Sequence, residues 1–192
     1  PMTRLAVDLA KATRLLNHGP TVLVSSAHAG RHNVMAAAWS MPLDFEPPKV
    51  AMVIDKATLT RELVEASGEF VLNIPTVAMA QATLRLGRES GRERPDKLDR
   101  SGIVLDPASH VQAGLVQGCI GWLECRVLPT SASVAGPHDL FLAEVLAAWA
   151  DDRVFRDGHW HFEDTTDELR SLHYVAWGHF YQIGSSIDVE LR

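Results

Sequence analysis

Cysteine is almost missing from this chain: among 192 residues only Cys119 and Cys125 carry a thiol. On one extended strand they would lie roughly 20 Å apart, at about 3.3 Å per residue, too far for a disulfide. That excludes a disulfide scaffold and fits a reducing compartment. No apolar run approaches the ~18 residues of a membrane helix, and the N-terminus lacks the basic and apolar regions of a secretory signal. A cytoplasmic protein without membrane contact is expected, and Pro1 in place of a start Met is compatible with a trimmed or processed end. Excess positive charge is absent as well. The net charge of −6 argues against a nucleic-acid partner, whose phosphates require cations. Nor is there a Gly-x-Gly-x-x-Gly turn, a Walker A loop or a Gly-x-Ser-x-Gly elbow, so the familiar dinucleotide, P-loop and hydrolase sites are excluded.

What is present is ordinary globular composition, 46% hydrophobic and 22% charged, in a length that suits one domain over residues 1–192. Apolar spacing predicts an amphipathic helix from Arg4 to Leu16, stopped by Asn17 to Pro20. Thr21 to Ser26 and Asn33 to Met41 read as two strands of a hairpin, and the prolines of Met41 to Lys49 as a loop. Val50 to Ile54 is a short buried strand. A helix is expected from about Leu59 to Ser67, capped by Thr58 or Thr60 and ended by Gly68, followed by a strand from Glu69 to Ile74. Thr76 to Leu86 reads as helix and Gly87 to Asp99 as polar loop. Downstream, Cys119 to Leu128, Leu140 to Trp149 and Gly178 to Ile183 read as strands. Strands with short inserted helices and no βαβ alternation predict a mainly β, antiparallel, barrel-like sheet.

Two pieces between Pro20 and Pro75 bear on chemistry. Asn33 to Trp39 combines a polar side chain, small residues that let a flat ligand approach the backbone, and an aromatic ring; a hairpin strand with Asn near its turn explains the same residues. Lys56-Ala57-Thr58-Leu59-Thr60 sets a cation and two hydroxyls where a helix begins, which suits an anion as well as it suits simple capping. The basic residues between Arg85 and Arg100 either meet a phosphate or form a solvated helix end and loop. His159 and His161 share a strand face without a third ligand at suitable spacing, so no metal is expected. Ser131, Ser133, His138 and Asp139 are triad residue types, but adjacent His and Asp rarely align as base and orienter, and hydrolysis is not expected.

The order of these pieces resembles the flavin reductase-like family. The matching residues are Gly30, Asn33-x-Met35, Trp39, Pro47-Pro48, Thr60, and Phe70 with Asn73. The resemblance runs on through Ser90-Gly91-Arg92 and Asp96-Lys97-Leu98, with one or two residues inserted, to Pro137-His138-Asp139-Leu140-Phe141-Leu142-Ala143-Glu144-Val145, and covers about residues 15–185. It implies an antiparallel FMN-binding split β-barrel of Greek-key type. Asn33, Met35 and Ala36 are implied at the flavin ring edge with Trp39 packed nearby, Thr60 and Lys97 at the ribityl-phosphate end, and His138 toward the ring or a nicotinamide. An aromatic near the C-terminus is also implied, among Trp177, His179 and Tyr181, which would share one face of a strand. The full expected cofactor-binding set is Asn33, Val34, Met35, Ala36, Trp39, Lys56, Thr60, Asn73, Ser90, Lys97, His138 and Trp177. Pro137 and Ala143 depart from the family pattern, which bears on the nicotinamide side more than on the flavin side.

The implied activity is transfer of hydride from NAD(P)H to FMN, with electrons or reduced flavin passed to an acceptor or a partner oxygenase, in a homodimer with flavin near the subunit interface. No side chain need act as a general base, and His138 would orient rather than abstract. A flavoredoxin-like FMN electron carrier with little NAD(P)H activity and a non-catalytic ligand-binding barrel are the alternatives.

Overall fold

The strand Val22–His28 is buried at every position but the last, because both faces of the sheet it belongs to are covered. Period-two alternation sends Val22 and Val24 into one apolar cluster and Leu23 into another. The computed structural model describes residues 2–191. In chain order its strands and helices are β1 (Arg4–Val7), β2 (Val22–His28), β3 (Arg31–Ala37), β4 (Ser40–Phe45), β5 (Pro48–Val53), α1 (Leu59–Ser67), β6 (Glu69–Ile74), α2 (Ala80–Arg88) and α3 (Lys97–Ser101). They continue as β7 (Leu105–Asp106), β8 (Leu115–Val116), β9 (Gly121–Val127), α4 (Ala132–His138), β10 (Leu140–Asp151), β11 (Phe155–Arg156), β12 (His159–Trp160), β13 (Leu172–Ala176) and β14 (His179–Gln182).

An eight-stranded sheet runs β3-β2-β6-β9-β10-β5-β4, with β1 also on β10, and each of its pairings is antiparallel. The protein is thus mainly antiparallel β with a few helices, a split barrel whose path ends at β3 and β4. The larger cluster, built on Leu15, Met52, Phe70, Leu72 and Leu123, fills the inside. A second, around Trp122, Leu86 and Val116, covers the other face. Among the described residues no helix is long and apolar enough to cross a membrane, and Cys119 and Cys125 are free and buried.

Helix α1 forms where its signals lie. Thr58 accepts from the Arg61 amide at the N-cap, and Gly68 ends the helix at φ 72°, a conformation that glycine adopts without Cβ strain. Other expectations need correction. The predicted helix from Arg4 to Leu16 is instead β1 followed by a 3₁₀ turn over Leu9–Leu15. The edge of β10 pairs Arg4 with Asp151 and Val7 with Ala148, so tertiary pairing overrides local helix spacing, while Ala12, Leu15 and Leu16 still reach the core.

The Met41 to Lys49 region is mostly strand rather than loop, and the strand expected through Met41 breaks after Ala37. Pro42 is tolerated because β4 is an edge strand, bulged between Pro42 and Asp44. The helix expected over Thr76 to Leu86 starts as a 3₁₀ turn at Val77–Met79 and extends to Arg88 as α2. The stretch to Asp99 is not all loop, since α3 begins at Lys97.

Candidate functional site

Beside the edge strand β3, a cavity of about 810 Å³ opens between α1, α2, the α4–β10 turn and the β13–β14 hairpin. Asn33, Met35, Ala36 and Ala37 of β3 form one wall, continued by Ala38 and Trp39. Asn33 is buried and donates from Nδ2 to Thr60 Oγ1 at 2.9 Å, which locks β3 to the start of α1. Gly91 presses on the same joint. A Cβ there would stand 2.6 Å from Asn33 Oδ1 and 2.8 Å from Leu59 Cδ2, so no larger residue fits without displacing the wall.

The first turn of α1 forms the next wall. Asp55 accepts from the Ala57 amide at 2.7 Å, and Thr58 Oγ1 donates to the Asp55 carbonyl at 2.8 Å while accepting from the Arg61 amide. A helix leaves its first amides without intrahelical partners, and Leu59 and Thr60, whose amides are of this kind, line the cavity. Ser90, Gly91 and Lys97 line the cavity as well, Gly91 packed directly against Leu59. The Lys97 side chain is only 3% exposed, and among the described residues its ammonium makes no ion pair. Burial pushes its pKa down to about 8, against a weaker opposing pull from the Glu89 carboxylate. Thr83, also in the lining, keeps its buried Oγ1 without a partner among the described residues. Helix-start amides, hydroxyls and a buried cation make this end an anion acceptor.

The remaining walls are the His138–Asp139 turn and the aromatic pair Tyr174 and Phe180, whose rings meet edge-on at 5.3 Å. Tyr174 is held through its amide by Thr21 Oγ1 at 2.8 Å. The cavity therefore combines polar and cationic groups with the apolar and aromatic side chains of Met35, Trp39, Tyr174 and Phe180.

Of the residues expected from the sequence, Asn33, Met35, Ala36, Trp39, Thr60, Ser90, Lys97 and His138 line this cavity, and four do not. Val34 shares its face of β3 with Ala36 but lies fully buried in the second cluster and does not reach the cavity. Asn73 is equally buried. Its Nδ2 donates to the Leu23 carbonyl at 2.8 Å and its Oδ1 accepts from the Val116 amide at 2.8 Å, so its polar atoms serve the sheet. Lys56 lies at the rim with its ammonium 3.9 Å from Asp139. Trp177 is not on a strand at all. It sits in the β13–β14 turn at φ 46° and is 90% exposed, so the shared face with His179 and Tyr181 does not form. His179 and Tyr181 do face each other, but Phe180, of opposite parity, is the one that lines the cavity.

Sequence reading missed Thr83, Tyr174, Phe180 and the buried Arg61. Only the Thr inside the amphipathic α2 carried a local signal, a hydroxyl on its apolar face. His161, Glu163 and Asp164 bring ligand atoms within 4.8 Å of one another, with His161 bonded to Glu163 and Asp164 paired with Arg156. Ser131 accepts from the Leu142 amide at 3.1 Å and Asp139 is taken by Arg61, so these triad types do not assemble.

Fold and site together define a split-barrel protein whose cavity joins a helix start and a buried lysine with apolar and aromatic walls. The model of the flavin reductase like domain matches residues 14–170, and the chain belongs to that family. It is similar to an FMN-binding domain of a flavin reductases-like enzyme from Shewanella baltica OS155, at 49% identity and a TM-score of 0.96, over 98% of each chain. It also resembles the flavoredoxin of Desulfovibrio vulgaris (Miyazaki F), at 25% identity and a TM-score of 0.76, over 89% of this chain and 90% of that one. An uncharacterised Escherichia coli K12 protein, YddH, is 45% identical over 186 residues, 95% of this chain and 96% of its own.

Proposed function

We propose that the chain binds FMN in the β3–α1–α2 cavity and acts as a flavin reductase, using NAD(P)H and supplying an acceptor or a partner oxygenase. The observation that carries this reading is the buried Lys97 ammonium, in no ion pair among the described residues and lining the same cavity as the start of α1 and the rings of Trp39, Tyr174 and Phe180. A buried cation is costly without a counter-charge, and a phosphate group supplies one. The orphaned Thr83 hydroxyl fits the same ligand as a waiting donor.

A bound flavin supplies the redox chemistry, accepting two electrons with a hydride from a nicotinamide. The chain's own residues bind and orient. The Leu59 and Thr60 amides, Ser90 and Lys97 take the phosphate, Met35, Ala36 and Trp39 bound the flat slot, and His138 orients at the ring side. The family membership supports FMN, and a single anion cradle favours it over a dinucleotide. A second copy of the chain is part of this proposal. Trp39, just before β4, and Met41, Leu43 and Phe45 on this edge strand are exposed by 74, 54, 45 and 74%, with Trp39 also lining the cavity, which suits a self-complementary interface.

The test is an absorption spectrum of the purified protein with and without added FMN, followed by anaerobic addition of NADH or NADPH. Yellow protein bleached rapidly by a pyridine nucleotide is expected. Bleaching only by a protein donor points to an electron carrier, the reading that the likeness to flavoredoxin supports, and protein that takes up no FMN overturns both.

A further inference from the structure

Arg61 lies in the first turn of α1, outside the cavity lining and only 6% exposed. Its Nη1 donates to the Ile54 carbonyl at 2.9 Å and to the Asp139 carboxylate at 3.0 Å. Nη2 donates to the Ala135 carbonyl at 3.0 Å, Nε pairs with Glu65, and the guanidinium carbon stands 4.7 Å over the Phe141 ring. These partners belong to the end of β5, the last turn of α4 and the start of β10. Asp139 closes α4 at φ 55°, and its carbonyl accepts from the Ile54 amide at 2.9 Å. One side chain therefore ties the helix end that presents Thr58 and Thr60 to the turn that presents His138.

Apolar residues would hold these segments together at lower desolvation cost. What a guanidinium adds is direction, because its rigid planar fork fixes the partners' orientation as well as their distance. The left-handed Asp139 conformation, disfavoured for a residue with a Cβ, marks the turn as held by its surroundings. We propose that Arg61 is a positioning residue of the ligand site, setting His138 against the N-terminus of α1. The proposal rests on the flavin reading. A ligand that spans both walls gains affinity from their fixed spacing and loses it when either wall drifts.

The test uses the full chain, with FMN affinity read from quenching of flavin fluorescence and the melting temperature measured without ligand. Arg61→Lys keeps the charge and loses the fork, and is expected to weaken FMN binding about tenfold, the scale of one lost charged hydrogen bond. Combined with His138→Ala, which removes the group being positioned, Arg61→Lys is expected to cost less than about twofold further. The full loss in both backgrounds, or a lowered melting temperature with unchanged FMN affinity, overturns the role. Should Arg61→Lys fail to fold, Asp139→Asn weakens the same tie from the other side, and unchanged affinity there is equally decisive. Wild-type protein that does not quench FMN overturns the flavin reading and this role with it, whereas tight binding by wild type and variants alike overturns the role alone.

Discussion

Burial holds the Lys97 ammonium at a pKa of about 8, below its ordinary value of 10.5, and this has two consequences at the scale of one residue. In the ligand-free protein the unfolded chain keeps the proton up to about 10.5 while the fold releases it near 8. The unfolded state therefore binds more protons in that window, and stability rises with pH across it. Lys97→Met is expected to remove that rise and leave the ligand-free protein no less stable at pH 7, read from urea midpoints on either side of the window. The same variant is expected to weaken FMN binding by about tenfold or more, since it deletes a charge-assisted contact. A flat urea profile in the wild type would show that the ammonium is solvated after all. Lys97 was legible from its place in a motif. Thr83 left only a hydroxyl on the apolar face of α2 as a local sign, which acquires meaning once the element facing it is known.

At the scale of elements, α1 delivers the proposed anion site and depends on its cap. Thr58→Ala loses the side-chain bond to the Arg61 amide and is expected to cost about 1 kcal/mol of stability, measured by chemical denaturation, with weaker FMN binding as the first turn frays. The β13–β14 hairpin brings Tyr174 and Phe180 to the cavity and is fastened by a half-buried chain, in which His18 Nε2 lies 3.0 Å from Ser171 Oγ, and Ser171 Oγ 3.1 Å from His173 Nε2. His173 Nδ1 faces the Gly19 carbonyl at 3.1 Å, so Nδ1 donates, Nε2 accepts from Ser171, and His18 Nε2 donates to Ser171. A further proton on His173 breaks the chain, and one on His18 Nδ1 charges a buried ring without a partner. Burial, helped by His173, lowers the His18 pKa from 6.5 to about 4.

Between those values the unfolded state takes up a proton that the fold refuses, so stability falls as pH drops from 6.5 toward 4, by up to roughly 3 kcal/mol. His18→Gln should flatten that part of a melting-temperature profile, and an unchanged slope counts against the assignment. Helix α1 was readable because its cap, acidic first turn and terminal Gly68 are all local. Strand β4 was hidden by Pro42, whose acceptability depends on lying at an edge.

For the whole molecule, the expected consequence of ligand binding is global stabilisation, since FMN would bind only the folded cavity. At FMN about a hundredfold above its dissociation constant the gain is about 2.7 kcal/mol, visible as a rise in melting temperature. Flavin-free barrel and complex melting together would contradict the placement of the ligand. Light scattering at increasing concentration tests the β4 edge as a self-interface, with Phe45→Glu expected to shift the protein toward monomer.

Local chemistry in the chain determined the mainly β character, α1 with its cap, the strands β6, β9 and β10, and some of the cavity's polar residues, because caps, alternation and motif order are written within a few positions of one another. Only the tertiary structure decided the rest. Residues 4–7 become a strand because β10, more than a hundred positions away, offers an edge. Asn73 becomes a sheet residue because Leu23 and Val116 claim its amide. Phe180 rather than Trp177 faces the ligand slot because the hairpin turns at Trp177 and resets the alternation. In each case the deciding partner is distant in sequence, and its free energy enters only when the sheet closes.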